Sequence, residues 1–175
     1  MQITNCAYQL VDTNQGQVLI AECVTSSKVL AIYFVNGDLS DQMEELHSAY
    51  PTVSFVEGEP TQTQEIVRAI NTLDCTVPIS FLQKSSSTFA MNVYNFIRRI
   101  PKGETRSYSQ VAAAIGNPDA FRAVAGACAR NNLAYIVPCH RVIGSTGNLS
   151  GYRWGTDKKR QLLRAEGVEL TFRAM

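Results

Sequence analysis

Through the first 35 residues apolar positions alternate with polar ones or cluster in short runs: Ala7-Tyr8-Gln9-Leu10-Val11, Gln17-Val18-Leu19-Ile20-Ala21 and Val29-Leu30-Ala31-Ile32-Tyr33-Phe34-Val35, with Asn14-Gln15-Gly16 between the first two. Short β-branched and aromatic runs broken by turn residues predict a small antiparallel sheet opening on a hairpin. The period then lengthens. Ser40 followed by Asp41 opens a helix with Met43, Leu46 and His47 on one side, and Ile66, Val67, Ile70 and Leu73 mark another before Pro78. Together these make an N-terminal α+β domain over residues 1–82. The polar Gln83-Lys84-Ser85-Ser86-Ser87 reads as a linker, placed at 83–88, ahead of a second domain over 89–175.

The second domain is helical in pattern. Thr88 caps a helix whose apolar positions Phe89, Val93, Phe96, Ile97 and Ile100 recur at helical spacing, and Pro101 and Gly103 end it. Ser107 or Ser109 caps a short helix with Val111, Ala112 and Ile115 that stops at Gly116. Asn117-Pro118-Asp119 then supplies a cap, a proline at the first helical position and an acid in the first turn of the next. Two helices joined by so short a turn predict a helix-turn-helix. The second has Phe121, Val124, Ala125 and Cys128 for its core side and Ala120, Ala123, Gly126 and Ala127 around Arg122 and Arg130 on the other. Small residues let a backbone approach another surface closely, and arginines among them suit DNA; the alternative is two tightly packed helices with surface arginines. A last helix begins at Thr156-Asp157 and stops at Gly167.

Charge sharpens the division. The 175-residue chain has a formal net charge of +1, but residues 1–87 carry 3 Lys+Arg against 10 Asp+Glu, and residues 88–175 carry 13 against 5. Most of the basic excess is arginine (Arg98, Arg99, Arg106, Arg122, Arg130, Arg141, Arg153, Arg160, Arg164, Arg173), which suits phosphate and base contacts. A hydrophobic fraction of 45% without a charge excess fits an ordinary globular protein. No apolar run approaches the roughly 18–20 residues of a membrane span, and the polar Met1-Gln2-Ile3-Thr4-Asn5 is not a signal peptide, so a cytoplasmic location is expected. Five scattered cysteines (Cys6, Cys23, Cys75, Cys128, Cys139) with no CxxC, and only His47 and His140, indicate neither a disulfide framework nor a metal site.

The chemistry concentrates in Pro138-Cys139-His140-Arg141-Val142. The preceding Ala134-Tyr135-Ile136-Val137 reads as a buried strand that Pro138 must interrupt, which puts Cys139 on a turn at its end. A free thiol with a pKa of about 8.5 needs a base or a positive charge nearby to become a nucleophile, and His140 and Arg141 offer both. A packed cysteine beside a structural histidine is the competing reading. Glu166 breaks a local rule, because it lies at the C-terminal end of its helix, where the dipole disfavours negative charge. A carboxylate kept there implies a partner, and His140 is an attractive one as the base of a nucleophile, base and orienter arrangement.

These residues resemble the O6-alkylguanine-DNA alkyltransferases. The likeness rests on Pro138-Cys139-His140-Arg141-Val142, Arg130-Asn131-Asn132, Ser150-Gly151-Tyr152-Arg153-Trp154-Gly155 and Leu162-Leu163-Arg164-Ala165-Glu166-Gly167, and is close from about Phe89 to Val168. Gly103-Glu104-Thr105-Arg106-Ser107-Tyr108 and Arg122-Ala123-Val124 fall where that family has its tyrosine and its arginine finger. The first 80 residues match in general texture alone. The resemblance implies a ribonuclease-H-like N-terminal sheet and a winged-helix-like C-terminal domain.

It also implies direct, irreversible and stoichiometric repair: a suicidal cysteine S-methyltransferase that moves the alkyl group of O6-alkylguanine, and of O4-alkylthymine, from double-stranded DNA to Cys139. His140 would act as base through a water, with Glu166 orienting it. Tyr108 would donate toward guanine N3, the Cys139 and Val142 carbonyls would accept from the exocyclic amine, and the Ser150 N–H would donate to O6. Asn131 would brace the turn that carries the cysteine. Arg122 would fill the stack left by the flipped nucleotide, with Ser107, Ala123, Gly126 and Ala127 against the DNA. No cofactor is implied and a monomer is expected. Some relatives hold zinc through two cysteines and two histidines; Cys6 and Cys23 could correspond to the thiols, but no matching histidines exist, so no zinc is expected. The rival readings are a binding-only relative that marks lesions, a helix-turn-helix regulator without chemistry, and a cysteine hydrolase.

Overall fold

The computed structural model describes residues 3–84 and 87–170. Its described residues form two compact units, the first running to Lys84 and taking in Asn132–Ala134, the second comprising the remainder. Ser85 and Ser86 of the expected linker, and Arg173 of the arginine set, lie outside the described residues.

In the first unit β1 (Asn5–Thr13), β2 (Gly16–Cys23) and β3 (Val29–Val35) form antiparallel pairs, and β4 (Ser54–Glu57) lies parallel to β1, giving the order β3-β2-β1-β4. The sheet is therefore mixed, not antiparallel as the pattern predicted. The four-residue β4, Ser54-Phe55-Val56-Glu57, is too short to carry a readable alternation; it is recruited by the unpaired edge of β1. Gly16, at φ 110°, supplies the left-handed conformation with which a two-residue hairpin loop returns to the strand. All seven residues of β3 are buried, which its unbroken apolar run requires. Left bare, so apolar an edge would invite pairing with another chain. Two segments cover it. Val29 bonds to Ser80 and Leu82, and Ile32 bonds to Asn132 and Ala134, each through backbone bonds of 2.9 Å. The Asn132 side chain secures the second cover by donating to the Leu30 and Leu82 carbonyls at 2.6 and 3.2 Å and accepting from Gln83 and Lys84 at 2.7 and 3.1 Å.

The helices of this unit depart slightly from expectation. In α1 (Leu39–Ala49) the cap is Asp38, whose carboxylate accepts from the Ser40 N–H, and Leu46 alone is buried, while Met43 is partly covered and His47 exposed. In α2 (Thr63–Asn71) Ile66 and Ile70 are buried as the spacing required, but Leu73 lies beyond the helix end with φ 56°.

The second unit is built on α3 (Thr88–Ile97), α4 (Tyr108–Ala114), α5 (Phe121–Ala129) and α6 (Thr156–Ala165), with β5 (Arg106–Ser107) and β6 (Val142–Ile143) as a short parallel pair. Ser87, not Thr88, caps α3, and Val93, Ile97 and Ile100 are buried. Ser107 caps α4 in a reciprocal arrangement, accepting from the Gln110 N–H at 3.0 Å while its own N–H donates to Gln110 Oε1 at 2.8 Å. Asn117-Pro118-Asp119 forms a turn that precedes α5 and does not open it; the helix begins at Phe121 with no side-chain cap. Val124 and Cys128 face the core as expected, but two other positions differ. Phe121 is 43% exposed instead of core-facing, and Ala127, expected on the outward side, is buried with its carbonyl accepting from Tyr94 at 2.7 Å.

The stretch before the cysteine is also corrected. Ala134-Tyr135-Ile136-Val137 is fully buried, as its composition demands, but it is a turn and not a strand, with Tyr135 at φ 68°. Asn131 Nδ2 closes it by donating to the Val137 carbonyl at 3.0 Å.

Removing the Asn132 amide leaves the buried Leu30 carbonyl without that donor, so Asn132→Ala should lower stability by about 2–3 kcal/mol in urea unfolding, several times the effect of an ordinary exposed substitution.

Candidate active site

Cys139, His140 and Arg141 form one turn of 3-10 helix following Pro138, and all three side chains are buried. A turn this tight points successive side chains in different directions, so each of the three enters a different set of contacts. The set around Glu166 is the most connected. Its Oε1 accepts from Arg141 Nε at 2.9 Å and lies 3.1 Å from His140 Nε2; its Oε2 accepts from Arg141 Nη2 at 2.6 Å and from the Tyr135 hydroxyl at 2.6 Å. Arg141 Nη1 donates onward to the Ile100 carbonyl at 2.8 Å. Burial opposes the charge on Glu166, yet the hydrogen bonds from His140, Arg141 and Tyr135 hold its pKa down to about 2.

Those bonds also set the histidine's state. An ionised carboxylate can only accept, so Nε2 carries the proton that it gives to Glu166. Burial is the main cause lowering the His140 pKa, with Arg141 and Lys159 adding to it against the pull of Glu166. The ring is therefore neutral near pH 7, with Nδ1 unprotonated. Nδ1 is buried and, among the described residues, has no hydrogen-bond partner. The Tyr135 ring stacks on the imidazole at 5.2 Å and fixes its plane.

Cys139 is 1% exposed. Burial pushes its thiol well above the ordinary value, and the hydrogen-bonded Cys128 thiol adds to this; Lys159 and a hydrogen bond from Asn131 pull the other way. The resting group is a protonated thiol that needs a base. Asn131 thus serves both the cysteine and its turn, and its own carbonyl accepts from Arg153 at 2.7 Å.

Tyr108, the first residue of α4, donates to the Ser150 carbonyl at 3.0 Å and accepts from Lys159 Nζ at 3.3 Å. Lys159 is fully buried, with its ammonium 5.5 Å from the Tyr108 ring centroid and 5.9 Å from that of Tyr152. Desolvation lowers its pKa to about 8, with Cys128 and Cys139 acting in the opposite sense. Gly151 is required beside this pair: its φ is +89°, and a Cβ there would lie 2.9 Å from the Tyr108 hydroxyl. Ser150 itself is exposed, its N–H donating to Asn148 Oδ1 at 3.3 Å and its hydroxyl to the same oxygen at 2.6 Å. Val142 is buried, and its N–H donates back to the Cys139 carbonyl.

On α5, Arg122 and Ala123 are exposed and Gly126 is half-buried, while Ala127 faces the core and cannot meet a ligand with its side chain. The arginine set divides in the same way. Arg122 and Arg130 are exposed, whereas Arg141, counted among the phosphate-binding candidates, is 1% exposed and committed to Glu166. Lys159, Tyr135 and Cys128 were missed in the sequence. For Lys159 a signal existed: Lys159, Leu162, Leu163 and Glu166 stand at i, i+3, i+4 and i+7, so both charged residues share the apolar stripe of α6. Tyr135 carried no such mark. Among the described residues no group of three or more His, Cys, Asp or Glu is placed to hold a metal ion, and no helix is long and apolar enough to cross a membrane.

Residues 88–168 match the 6-O-methylguanine DNA methyltransferase, DNA binding domain. A probable methylated-DNA--protein-cysteine methyltransferase of Acanthamoeba polyphaga mimivirus is 35% identical over 162 residues, which cover 90% of this chain and 95% of that one. The chain belongs to the O6-methylguanine DNA methyltransferase family. The bifunctional transcriptional activator/DNA repair enzyme Ada of Escherichia coli K12 is 39% identical over 91% of this chain, and the chain spans 45% of its length. Several curated relatives are covered by about half in this way, 55% for the Methanosarcina acetivorans protein. The crystal structure of Mycobacterium tuberculosis O6-methylguanine methyltransferase superposes with a TM-score of 0.73 at 30% identity, over 92% of each chain.

The pKa of Glu166 lies below its unfolded value, so the stability it contributes is complete above pH about 4.5 and is lost as pH falls toward about 2. Glu166→Gln leaves Arg141 buried beside a neutral amide and should cost about 3–5 kcal/mol at pH 7. In urea titrations the gap between the two proteins should narrow from pH 4.5 to 2; a gap independent of pH across that window would mean the carboxylate is not held in its charged form.

Proposed function

We propose that this protein repairs DNA by transferring the alkyl group of O6-alkylguanine irreversibly to Cys139, once per molecule, as a methylated-DNA–protein-cysteine S-methyltransferase. The observation that carries the reading is the unpartnered, buried Nδ1 of a neutral His140 whose other nitrogen is fixed on Glu166, one residue from a thiol that burial keeps protonated. Such an imidazole is a ready proton acceptor. The Cys139 proton passes to His140 through a bridging water, and the thiolate sulfur attacks the alkyl carbon in line with the C–O6 bond. The bond electrons leave with the guanine, and the product is a thioether.

The leaving purine carries developing negative charge. Tyr108 releases Ser150 and donates to N3, and Lys159 at 3.3 Å from its hydroxyl supports that donation, which is stabilisation of charge formed in the transition state. The Cys139 and Val142 carbonyls receive the exocyclic amine, and the Ser150 N–H, held by a long 3.3 Å bond to Asn148, turns to O6. Thioethers are poor leaving groups and nothing near Cys139 could cleave one, so the protein is consumed.

A stacked base keeps O6 out of reach of a buried thiol, so the nucleotide must leave the duplex, at a cost of a few kcal/mol that a damaged pair lowers. The exposed Arg122 takes its place in the stack, with Phe121 beside it: the guanidinium lies 5.8 Å from that ring's centroid. Ser107, Ala123 and Gly126 lie against the DNA on this reading. The α4-turn-α5 pair with the short β5–β6 ladder supports a winged-helix-like arrangement, and the hairpin-led mixed sheet supports a ribonuclease-H-like first unit. The protein acts as a monomer inside the cell, and O4-alkylthymine is a second substrate.

Mixed with a duplex containing one O6-methylguanine, the protein should gain one methyl group, about 14 mass units, saturating at one per molecule and absent in Cys139→Ser, as covalent transfer requires. Tight binding without mass gain would instead favour lesion marking. Arg122→Ala should slow the transfer at least about tenfold by raising the cost of extrusion, with little change in stability.

A further inference from the structure

Cys6 and Cys23 are directly opposite each other on β1 and β2, in a region that alkyl transfer does not use. The hydrogen-bond phase of the hairpin decides how closely they approach. The Val24 N–H donates to the Asn5 carbonyl at 3.0 Å, which makes Asn5 and Val24 a bonded pair. The Cys23 N–H goes the other way, to the Lys28 carbonyl at 2.9 Å, and the Cys23 carbonyl accepts from Ser27 at 2.9 Å. Neither backbone group of Cys23 is directed at Cys6, so theirs is a non-hydrogen-bonded position, where opposed Cα atoms stand about 4.5 Å apart with their side chains close. Disulfides span Cα separations of about 4.4–6.8 Å, so a bond can close here without displacing either strand. Both side chains are 1% exposed and share a cluster with Leu30 and Val53.

The two thiols are chemically unequal. Burial works to raise the Cys23 pKa, but hydrogen bonds from the side chains and backbone of Ser26 and Thr25 outweigh it and bring the value to about 7. The Thr25 hydroxyl stands 3.3 Å from the sulfur. For Cys6 the balance is the reverse: burial, reinforced by the charge of Cys23, lifts it to about 12. Cys23 is the sulfur prepared to attack, and Cys6 qualifies as its partner by standing directly opposite.

We propose that Cys6 and Cys23 form a redox-modification site at which a hydroperoxide oxidises Cys23 and Cys6 converts the product to a cross-strand disulfide. In the first step the Cys23 thiolate attacks one peroxide oxygen; the O–O bond breaks, Cys23 becomes a sulfenic acid and hydroxide, or an alkoxide from an organic peroxide, departs. In the second the Cys6 sulfur attacks the Cys23 sulfur, the S–O bond breaks, and the Cys6 proton leaves with the hydroxyl as water. Two electrons pass from the thiols to the peroxide, and a dithiol reductant reverses the change. The turn above Cys23, in which Val24, Thr25 and Lys28 are exposed, is the route of entry, so the reaction is gated by its opening and is slow. The product ties together the first two strands of the sheet.

The test uses the fully reduced 175-residue chain exposed to hydrogen peroxide at pH 7 and digested without reduction. The expected product is a peptide joining residue 6 to residue 23, about 2 mass units lighter than the separate reduced peptides and restored by dithiothreitol. Cys139→Ser should give the same link, since the repair nucleophile takes no part. In Cys6→Ser the reaction should stop at a Cys23 sulfenic acid, captured by dimedone. Links dominated by other cysteine pairs, or a Cys23 that stays reduced while Cys6 or Cys75 oxidises, would overturn the proposal. The wild-type peptide map decides the matter even if Cys6→Ser does not fold.

Discussion

One carboxylate organises the second unit of this protein. Glu166 receives a bidentate Arg141, the His140 ring and the Tyr135 hydroxyl, with every partner buried. An isolated buried carboxylate would be prohibitively costly, and an isolated buried guanidinium likewise; each is tolerable because the other satisfies it. The pair thereby links the end of α6 to the 3-10 turn that carries Cys139. It also explains why an acid stands at a helix C-terminus. The unfavourable dipole interaction, worth up to about 1 kcal/mol, is outweighed by charge-assisted hydrogen bonds in a site closed to water.

The same closure sets the chemistry of the thiol. Burial alone makes Cys139 a poor nucleophile, because the thiolate is the form that loses most on desolvation. What offsets this is local: a neutral imidazole with a vacant nitrogen, the Asn131 amide, and Lys159 with its own pKa drawn down to about 8. A buried thiol that stays protonated until a neighbouring base takes its proton is protected from adventitious reaction. Cys23 shows the converse. Its charged form is favoured by four hydrogen bonds at the mouth of a turn, with no base required.

Much of this was legible in the chain itself. The Pro138–Val142 motif, the arginine excess after residue 87 and the rule-breaking Glu166 pointed to a nucleophile, an anionic partner and an orienting carboxylate. Where the reading failed, a contact distant in sequence had overridden a local signal. Ala134–Val137 has the composition of a strand, but Leu133 bridges to Ile32 and Asn131 closes on Val137, which leaves a turn. Asn117-Pro118-Asp119 has the signature of a helix start, yet α5 begins later, exchanging the roles of Phe121 and Ala127. β4 is too short to announce itself and forms where β1 offers a free edge.

Side-chain type and local spacing were enough to single out the Cys139-His140 pair and Glu166 as candidates and to mark the segments apolar enough to be inside. Which charged groups lie inside with them was not written locally. Arg141 and Lys159 look like surface cations by composition; one is buried against Glu166 and the other under Tyr108 and Tyr152. The reason is physical: a charge is stable in the interior only when a partner from elsewhere in the chain meets it, and that meeting is made by folding.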